Sequence, residues 1–459
     1  MDLLKIKKLP VPVLDLCRKI RDIGGRSYLV GGSVRDLLLG EQPKDFDLEV
    51  YGIGLEPLHR HLSGFGRTEA VGRSFGVIKL WLDSLEIDVA LPRSERKVSD
   101  GHRGFETDLD PEMTLNRASS RRDFTINAMM IDPLDGSLLD FHGGRKDLEQ
   151  GILRHVSPSF SDDPLRVLRG MQFASRFRLQ LHADTALLCR MLRGEADTLA
   201  IERVWLEWRK WAEGGSPACG LRVLEQSTWL SLYPELAALT GCQQEPKWHP
   251  EGDVWRHILY VVDCAAGISR RYGWSGERRN HLIFTSLLHD LGKPETTMTD
   301  HNGRIRSPDH SLQGLKYSAS FLQRIGAPES LLSHIQPLIR DHLTHMHGGP
   351  SERAVRRLSV RLEPSDIELW EALVEADASG RPPLPASRPA LNWLQKALDM
   401  QHHKTKPAPV VTGKLLMKYG VVPGPEMGQI IQAAYEAQLD GEIGDGEDAW
   451  QWCRRNIKR

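Results

Sequence analysis

SYLVGGSVRDLLLG (27–40), followed closely by KDFDLEV (44–50), decides the fold class of the first part of this chain. SYLV reads as a buried strand, GGS as a tight turn, and VRDLLLG as a helix closed by Gly40. Gly31 and Gly32 let the backbone come close to a ligand, and the unpaired amides at the helix start suit phosphate oxygens. FDLEV then returns as a strand, with Asp45 and Asp47 two residues apart at its mouth. Period-two geometry sends both carboxylates to one face. Two like charges side by side are costly unless a cation sits between them. Mg²⁺ takes one or two carboxylates together with substrate phosphate oxygens.

Outward from this stretch, VIKLWL (77–82) and LEIDVAL (85–91) are further strand-like runs rich in β-branched residues. They offer Asp88 as a third carboxylate from a neighbouring strand, with Glu86 of the same parity in reserve. The polar stretch 92–120 has little periodicity and reads as a loop. From about residue 160 onward, apolar residues recur at three- and four-residue spacing, so the chain is mixed α/β first and all-helical afterwards. RPPLPASRPA (381–390) and KTKPAP (404–409) are Pro-rich and linker-like.

Composition bounds the remaining possibilities. A chain of 459 residues suggests two to four domains, and 40% hydrophobic with 26% charged residues is ordinary for a globular protein. The formal net charge of −1 advertises no global field for a polyanion, so any nucleic-acid surface must be a local basic patch. The six cysteines are not spaced as C-x-x-C, which argues against a zinc ribbon and fits a reducing compartment. MDLLKIKKLPVPV lacks the apolar segment of a signal peptide, and no apolar run is long enough to span a bilayer. The expectation is a cytoplasmic protein without a membrane partner.

The ordered set GGSVRDLLLG, KDFDLEV, RRDFTINAM (121–129), DFHGGRKDL (140–148), DDPLRVLRGMQF (162–173) and ERVWLEW (202–208) resembles the class II tRNA nucleotidyltransferases and the related bacterial poly(A) polymerases. The resemblance implies an α/β head, a polymerase β-like nucleotidyltransferase palm, followed by an all-α neck or body. It also implies that Asp45 and Asp47, with Asp88, hold catalytic Mg²⁺ against a nucleoside triphosphate. Gly32, Ser33 and Arg35 would grip the triphosphate, and Arg122, Asp123 and Asn127 would support sugar and phosphates. Asp163 and Arg166, three residues apart on one helix face, would read the base. A carboxylate accepts from the exocyclic amine that cytosine and adenine share, whereas uracil and guanine carry a carbonyl there. Arg169, one further i+3 step, would reach phosphate. The family usually has Glu-Asp where this chain has Asp162-Asp163, one methylene shorter beside the proposed reader.

His257 in WHPEGDVWRHILYV, His289-Asp290 in FTSLLHDLGKP and Asp377 in LVEADASGR follow the H…HD…D order of the HD metal-dependent phosphohydrolases. Imidazole and carboxylate suit a divalent transition metal of the Ni, Mn or Co type. Lys293, His310 and His342 are accessory candidates for a second ion, for substrate phosphate, or for neither. His249, His301 and His334 read as helix-end or core histidines. An HD domain joined to this head resembles the multifunctional bacterial CCA-adding enzymes. The implied division is a head (1–158), a helical neck (159–240), an α-helical HD domain (241–385) and a helical tail (386–459). The implied activities are addition of CCA to tRNA from CTP and ATP, and 2′,3′-cyclic phosphodiesterase, 2′-nucleotidase and phosphatase action at the HD site. CC-only or A-only addition, poly(A) synthesis, and a hydrolase with an RNA-binding head are the competing readings. The protein would act as a monomer or homodimer. For tRNA phosphates the basic candidates are Arg93, Arg96, Lys97, Arg203, Arg209, Lys210, Lys404, Lys406 and the terminal CRRNIKR, while Trp205 and Trp208 read as core.

Overall fold

The computed structural model describes residues 9–43, 45–71, 76–82, 85–97, 105–444 and 447–456. It divides into two compact units, Met1–Trp211 with Cys219–Trp229, and Ala212–Ala218 with Leu230–Arg459. No helix among the described residues is long and apolar enough to cross a membrane.

The first unit opens with α1 (Val11–Asp22), β1 (Arg26–Val30), α2 (Gly32–Leu39), β2 (Phe46–Tyr51), α3 (Leu55–Leu62), β3 (Arg67–Val71), β4 (Val77–Leu82) and β5 (Leu85–Ala90). The turn before α2 needs Gly31 at φ +70°, and Gly40 closes the helix at φ +84°. Next come the hairpin β6 (Arg93–Lys97) and β7 (Phe105–Leu109), then α4 (Leu115–Ser120), β8 (Met130–Ile131), β9 (Leu138–Leu139) and α5 (Gly144–Gln150). The mixed sheet runs β3-β4-β5-β2-β1-β8-β9. Leu48, Val50, Ile78, Leu80, Ile87 and Val89 point to one face and pack with Val13, Leu16 and Ile20 of α1 and Leu58 and Leu62 of α3. Alternation sends Asp47, Glu49 and Asp88 to the opposite face, where only a smaller cluster around Tyr28, Val30 and Met130 packs. The core thus occupies one side of the sheet and the acidic residues emerge on the other.

The stretch 92–120 is not the loop its sequence suggests. β6 and β7 pair antiparallel with Arg93 opposite Leu109, and α4 follows with Thr114 accepting from the Arg117 amide as its cap. RSERK and FETDL carry too few apolar residues to betray strand periodicity. The side chains of Arg96 and Lys97, and residues 457–459 of the basic terminus, lie outside the described residues.

The unit continues with β10 (Ile152–Leu153), α6 (Leu165–Phe177), β11 (Gln180–Leu181), α7 (Ala183–Met191), α8 (Ile201–Ala212) and α9 (Pro217–Gln226). Trp208 is buried edge-on against Trp211, 5.2 Å between ring centres, as a core residue, and Trp205 is half-buried.

The second unit is helical: α10 (Pro234–Ala237), α11 (Val254–Arg271), α12 (Gly276–Leu288) and α13 (Lys293–Thr296), a small hairpin β12 (Met298–Thr299) and β13 (Ile305–Arg306), then α14 (His310–Arg324), α15 (Glu329–Asp341), α16 (Glu352–Arg361), α17 (Ile367–Ser379), α18 (Leu391–Asp399), α19 (Gly413–Lys418), α20 (Pro425–Asp440) and α21 (Glu447–Asn456). Helices α11, α12 and α17 are almost wholly buried along their inward faces, from Val254 and Ile258 to Leu282, Leu287, Trp370 and Leu373. A separate cluster around Leu416, Ala434 and Cys453 joins the last three helices.

Candidate functional site

In the first unit, β2 and β5 run parallel with Asp47 directly beside Asp88. Asp45 sits one residue before β2 and is exposed. The Ser33 hydroxyl donates to the Asp45 carbonyl and accepts from the Asp47 amide, both at 3.1 Å. Ser33 therefore clamps the acidic strand to the glycine turn. A side chain at Gly31 would meet Arg122 Nη1 at 3.1 Å and Asp47 Oδ2 at 3.4 Å, so turn, guanidinium and carboxylate converge on one point. Burial pushes the Asp47 carboxyl up to about 6, with Asp88 and Asp45 adding to the rise and Arg122 opposing it. Lys79 partly compensates, pairing with Glu86 and lying 3.4 Å from Asp88. Lys79 thus contacts both Glu86 and Asp88, and of the two Asp88 is the one directly beside Asp47.

Asp47 and Gly32 open on a cavity of about 570 Å³ whose other walls come from residues 121–127, α6 and α8. A buried relay fixes one wall. Arg35 donates to Asn127 Oδ1 at 2.7 Å, Asn127 donates to Asp123 at 3.0 Å, and Arg169 closes on Asp123 at 2.7 Å. Although burial works to raise it, Arg169 and Asn127 hold the Asp123 carboxyl below its usual range. Arg169, expected at phosphate, is thus committed to Asp123 while still facing the cavity.

Asp163 and Arg166 both line this cavity, but they do not share a helix face. Asp163 precedes Pro164 and is extended, at φ −130° and ψ 104°, because the residue before a proline avoids helical geometry. One of its oxygens accepts from the Leu165 amide at 3.0 Å and the other from Arg203 at 2.8 Å. Arg166, in the first turn of α6, donates to the carbonyls of Ser159 and Arg121, each at 2.8 Å. Both side chains are hydrogen-bonded to partners other than each other. Arg93, Arg203 and Lys210, candidates for an outer tRNA surface, also face this cavity, whereas Arg209 is exposed. Phe173 and Arg176, missed in the sequence, complete the wall of α6; their spacing from Arg166 and Arg169 on one helix face was the available signal.

The second unit gathers His257 from α11, His289 and Asp290 from the end of α12, and Asp377 from α17, all buried. His257 Nε2 lies 3.1 Å from Asp377 Oδ1 and 3.9 Å from Asp290 Oδ2. His289 Nε2 lies 3.4 Å from Asp290 Oδ2 and is buried without a hydrogen bond. An orphaned ring nitrogen in a ring of carboxylates fits a metal ion. Ligand atoms of His257, His289 and Asp377 are close enough together to hold one. Burial disfavours their charge, yet Asp290 and Asp377 both stay well below the usual carboxylate range, held by His289 and Lys293, and by Arg381 and His257 respectively.

A cavity of about 730 Å³ borders this cluster, lined by Asp290, Lys293, His310, His342, Asp377 and Arg381 together with Trp248, Ile305, Leu343, Met346 and Leu384. Lys293 reaches Asp290 at 2.7 Å and donates to Gln244 at 2.7 Å. His249 is no bystander: it lines this cavity and shares the buried Glu251 carboxylate with His257, at 2.9 and 2.8 Å. His301 is exposed and His334 stacks on His281, as ordinary structural histidines. The 381–390 segment is wall rather than linker. Arg381 pairs with Asp377 at 2.6 Å, and Arg388 pairs with the buried Glu371 at 2.7 Å. Lys406 pairs with Glu363, and Lys404 lies 3.8 Å from Glu368.

Residues 27–154 match the poly A polymerase head domain, and residues 254–374 match the HD domain. The chain is 36% identical over 365 residues to the multifunctional CCA protein of Nitrosococcus oceani, covering 77% of this chain and 84% of that protein. It is 37% identical over 366 residues to the multifunctional CCA protein of Xanthomonas campestris, covering 77% and 85%. In fold it is similar to the Bacillus stearothermophilus CCA-adding enzyme solved with CTP, at a TM-score of 0.65 and 20% identity over 97% of this chain and 98% of that one. It is also similar to the Thermotoga maritima CCA-adding enzyme complexed with tRNA, at a TM-score of 0.63 and 20% identity over 100% and 99%.

Proposed function

This chain belongs to the multifunctional CCA protein family, and from that premise we propose that it adds CCA to the 3′ end of tRNA from CTP and ATP at one site and hydrolyses phosphate esters at another. One observation carries the first half. Asp47 and Asp88 stand side by side on parallel strands and share a face, and the cavity that Asp47 enters also holds Asp163 and Arg166.

In this reading Asp45, Asp47 and Asp88 would hold Mg²⁺, which would supply charge neutralisation for the triphosphate and activation of the terminal ribose hydroxyl. The chain's own residues do the rest. Arg122 and the amides at Gly32 receive phosphate oxygens beside Asp47. Arg35, Asn127, Asp123 and Arg169 form a rigid floor for ribose and phosphate. Asp163 and Arg166 present an acceptor and a donor to the base edge, so fixed protein groups select cytosine and adenine without a nucleic-acid template. The decisive experiment supplies tRNA lacking its 3′ end with CTP and ATP, singly and together. CCA addition requires both, stopping after CC when ATP is withheld. Long runs of A without CTP would instead mark a poly(A) polymerase.

The second half rests on the His257, His289, Asp290 and Asp377 cluster. A divalent transition metal of the Ni, Mn or Co type held there would supply an activated water for phosphate ester hydrolysis. Lys293 and Arg381, which both line the cavity, would receive the phosphate. The substrates we assign are 2′,3′-cyclic phosphates, 2′-nucleotides and simple phosphomonoesters. We propose head (1–158), neck (159–240), HD domain (241–385) and tail (386–459) as the functional partition, the tail's first residues contributing Ser387 and Pro389 to the wall of the HD cavity.

A further inference from the structure

Glu251, just before α11, is a carboxylate that the four residues of the HD cluster do not account for. Its side chain is completely buried. Oε1 lies 2.9 Å from His249 Nδ1 and 2.8 Å from His257 Nδ1, and Oε2 is buried without a hydrogen bond. Among the described residues no lysine or arginine pairs with it. A buried carboxylate is costly unless a positive charge balances it. Two neutral imidazoles that donate to it do not supply that charge themselves.

His257 shows where the charge can come from. Its Nδ1 also lies 3.2 Å from the Gly380 carbonyl. Carboxylate and carbonyl oxygens both accept, so Nδ1 carries the ring proton and Nε2 of the neutral ring is a lone pair. That lone pair faces Asp377 Oδ1 at 3.1 Å and Asp290 Oδ2 at 3.9 Å. One ring thus stands between a buried anion and the ligands of a cation. His289 is anchored differently, with Nδ1 3.0 Å from the Ser286 carbonyl, a neutral acceptor. A carbonyl fixes the tautomer and direction of a ligating ring, whereas a carboxylate also makes that ring more basic. The Gly380 carbonyl already serves the first purpose at His257, so the charge of Glu251 serves the second.

Building on the HD reading above, we propose that Glu251 is a positioning residue of the HD site, whose charge acts through the His257 ring to strengthen Nε2 as a metal donor. His249 donates to the same oxygen and keeps it turned toward His257. The arrangement makes the two histidines of the cluster unequal, His257 the stronger donor and His289 the weaker. The same charge burdens the empty site, and ion binding relieves it.

The test removes the charge and keeps the shape. The full-length chain carrying Asp47→Asn and Asp88→Asn, to silence the head, is stripped with chelator and titrated with Co²⁺ against a competing chelator, with and without Glu251→Gln. The substitution should weaken Co²⁺ binding by about tenfold to a hundredfold. Equal affinities overturn the role of Glu251 and leave the HD site standing. No Co²⁺ held by the chain that keeps Glu251 overturns the HD reading together with this one. A second readout needs no change at Glu251 and separates the proposal from a loss of fold. In zinc-loaded protein with ¹⁵N-labelled histidine, the Nδ1 proton of His257 should resonate well downfield of that of His289, because only the first faces a carboxylate. Matching positions for the two protons overturn the proposal.

Discussion

Asp163 is held by Arg203, forty residues further along the chain, through a 2.8 Å hydrogen bond. It leans on a residue of α8 and not on Arg166 beside it. The carboxylate proposed to read the base is aimed from across the cavity.

Arg203→Ala should therefore blunt nucleotide choice before it abolishes addition. Loss of one charge-assisted hydrogen bond corresponds to about 1.5–3 kcal/mol, or roughly ten- to a hundredfold in discrimination. Single-nucleotide incorporation assays with each of the four triphosphates should show UTP and GTP gaining on CTP. Unchanged selectivity would separate Arg203 from base reading.

The two sites should fail independently. Asp47→Ala is expected to lower CCA addition by about a thousandfold or more, the scale of losing a group that stabilises transition-state charge, while phosphatase activity persists. His289→Ala should do the reverse. If either change removed both activities, the two-site reading would be wrong.

Asp47 also predicts a pH dependence. Its carboxyl titrates near 6 without a bound ion, and a metal must displace that proton. Magnesium should bind with constant affinity above pH 7 and weaken by about tenfold per pH unit below 6, because one proton then competes for each ion. Calorimetric titration of Mg²⁺ with a non-hydrolysable triphosphate at pH 5.0 to 8.0 measures it. A flat response down to pH 5 would show that burial does not govern this carboxylate.

His281 in the helical unit gives a stability prediction. Burial depresses its imidazole to about 4, and the neighbouring His334 ring, stacked at 4.3 Å, adds to the effect. The unfolded chain takes up its proton near the ordinary histidine value of about 6.5. The stability contributed by the neutral ring is therefore complete above that pH and is lost progressively as pH falls from about 6.5 to 4. His281→Phe should flatten the decline in melting temperature over that window. An identical slope in both proteins would count against it.

Arg388→Ala should destabilise the helical unit by about 3 kcal/mol, since it strands the fully buried Glu371 carboxylate. Arg388→Ala combined with Glu371→Gln should recover much of that loss in urea denaturation. Phosphatase activity should fall with the first change as the 381–390 wall loosens.

The glycine turn, the acidic strand and Asp88 were legible because a two-residue period and a parallel neighbour leave little choice of face. The HD constellation was legible from residue order, since scarce ligand types at helix ends stand out against apolar helices. What escaped are contacts set by tertiary packing. Composition marks 381–390 as a linker, and nothing local reveals that Arg381 and Arg388 are tied to Asp377 and Glu371 of α17. A lone histidine such as His249 reads as structural until Glu251 and His257 are seen beside it. Asp163 and Arg166 suggest a helical pair, and Pro164 was the overlooked sign that the helix starts too late for that.

Ser33 ties the bend that would cradle the departing pyrophosphate to the strand that would anchor the attacking hydroxyl. Both ends of the reaction coordinate are then cast in one piece. Thermal jitter that displaces one should displace the other in step, so the gap to be crossed stays nearly constant. A valine at position 33, close in size but unable to bridge, would let the two halves drift apart without emptying the pocket.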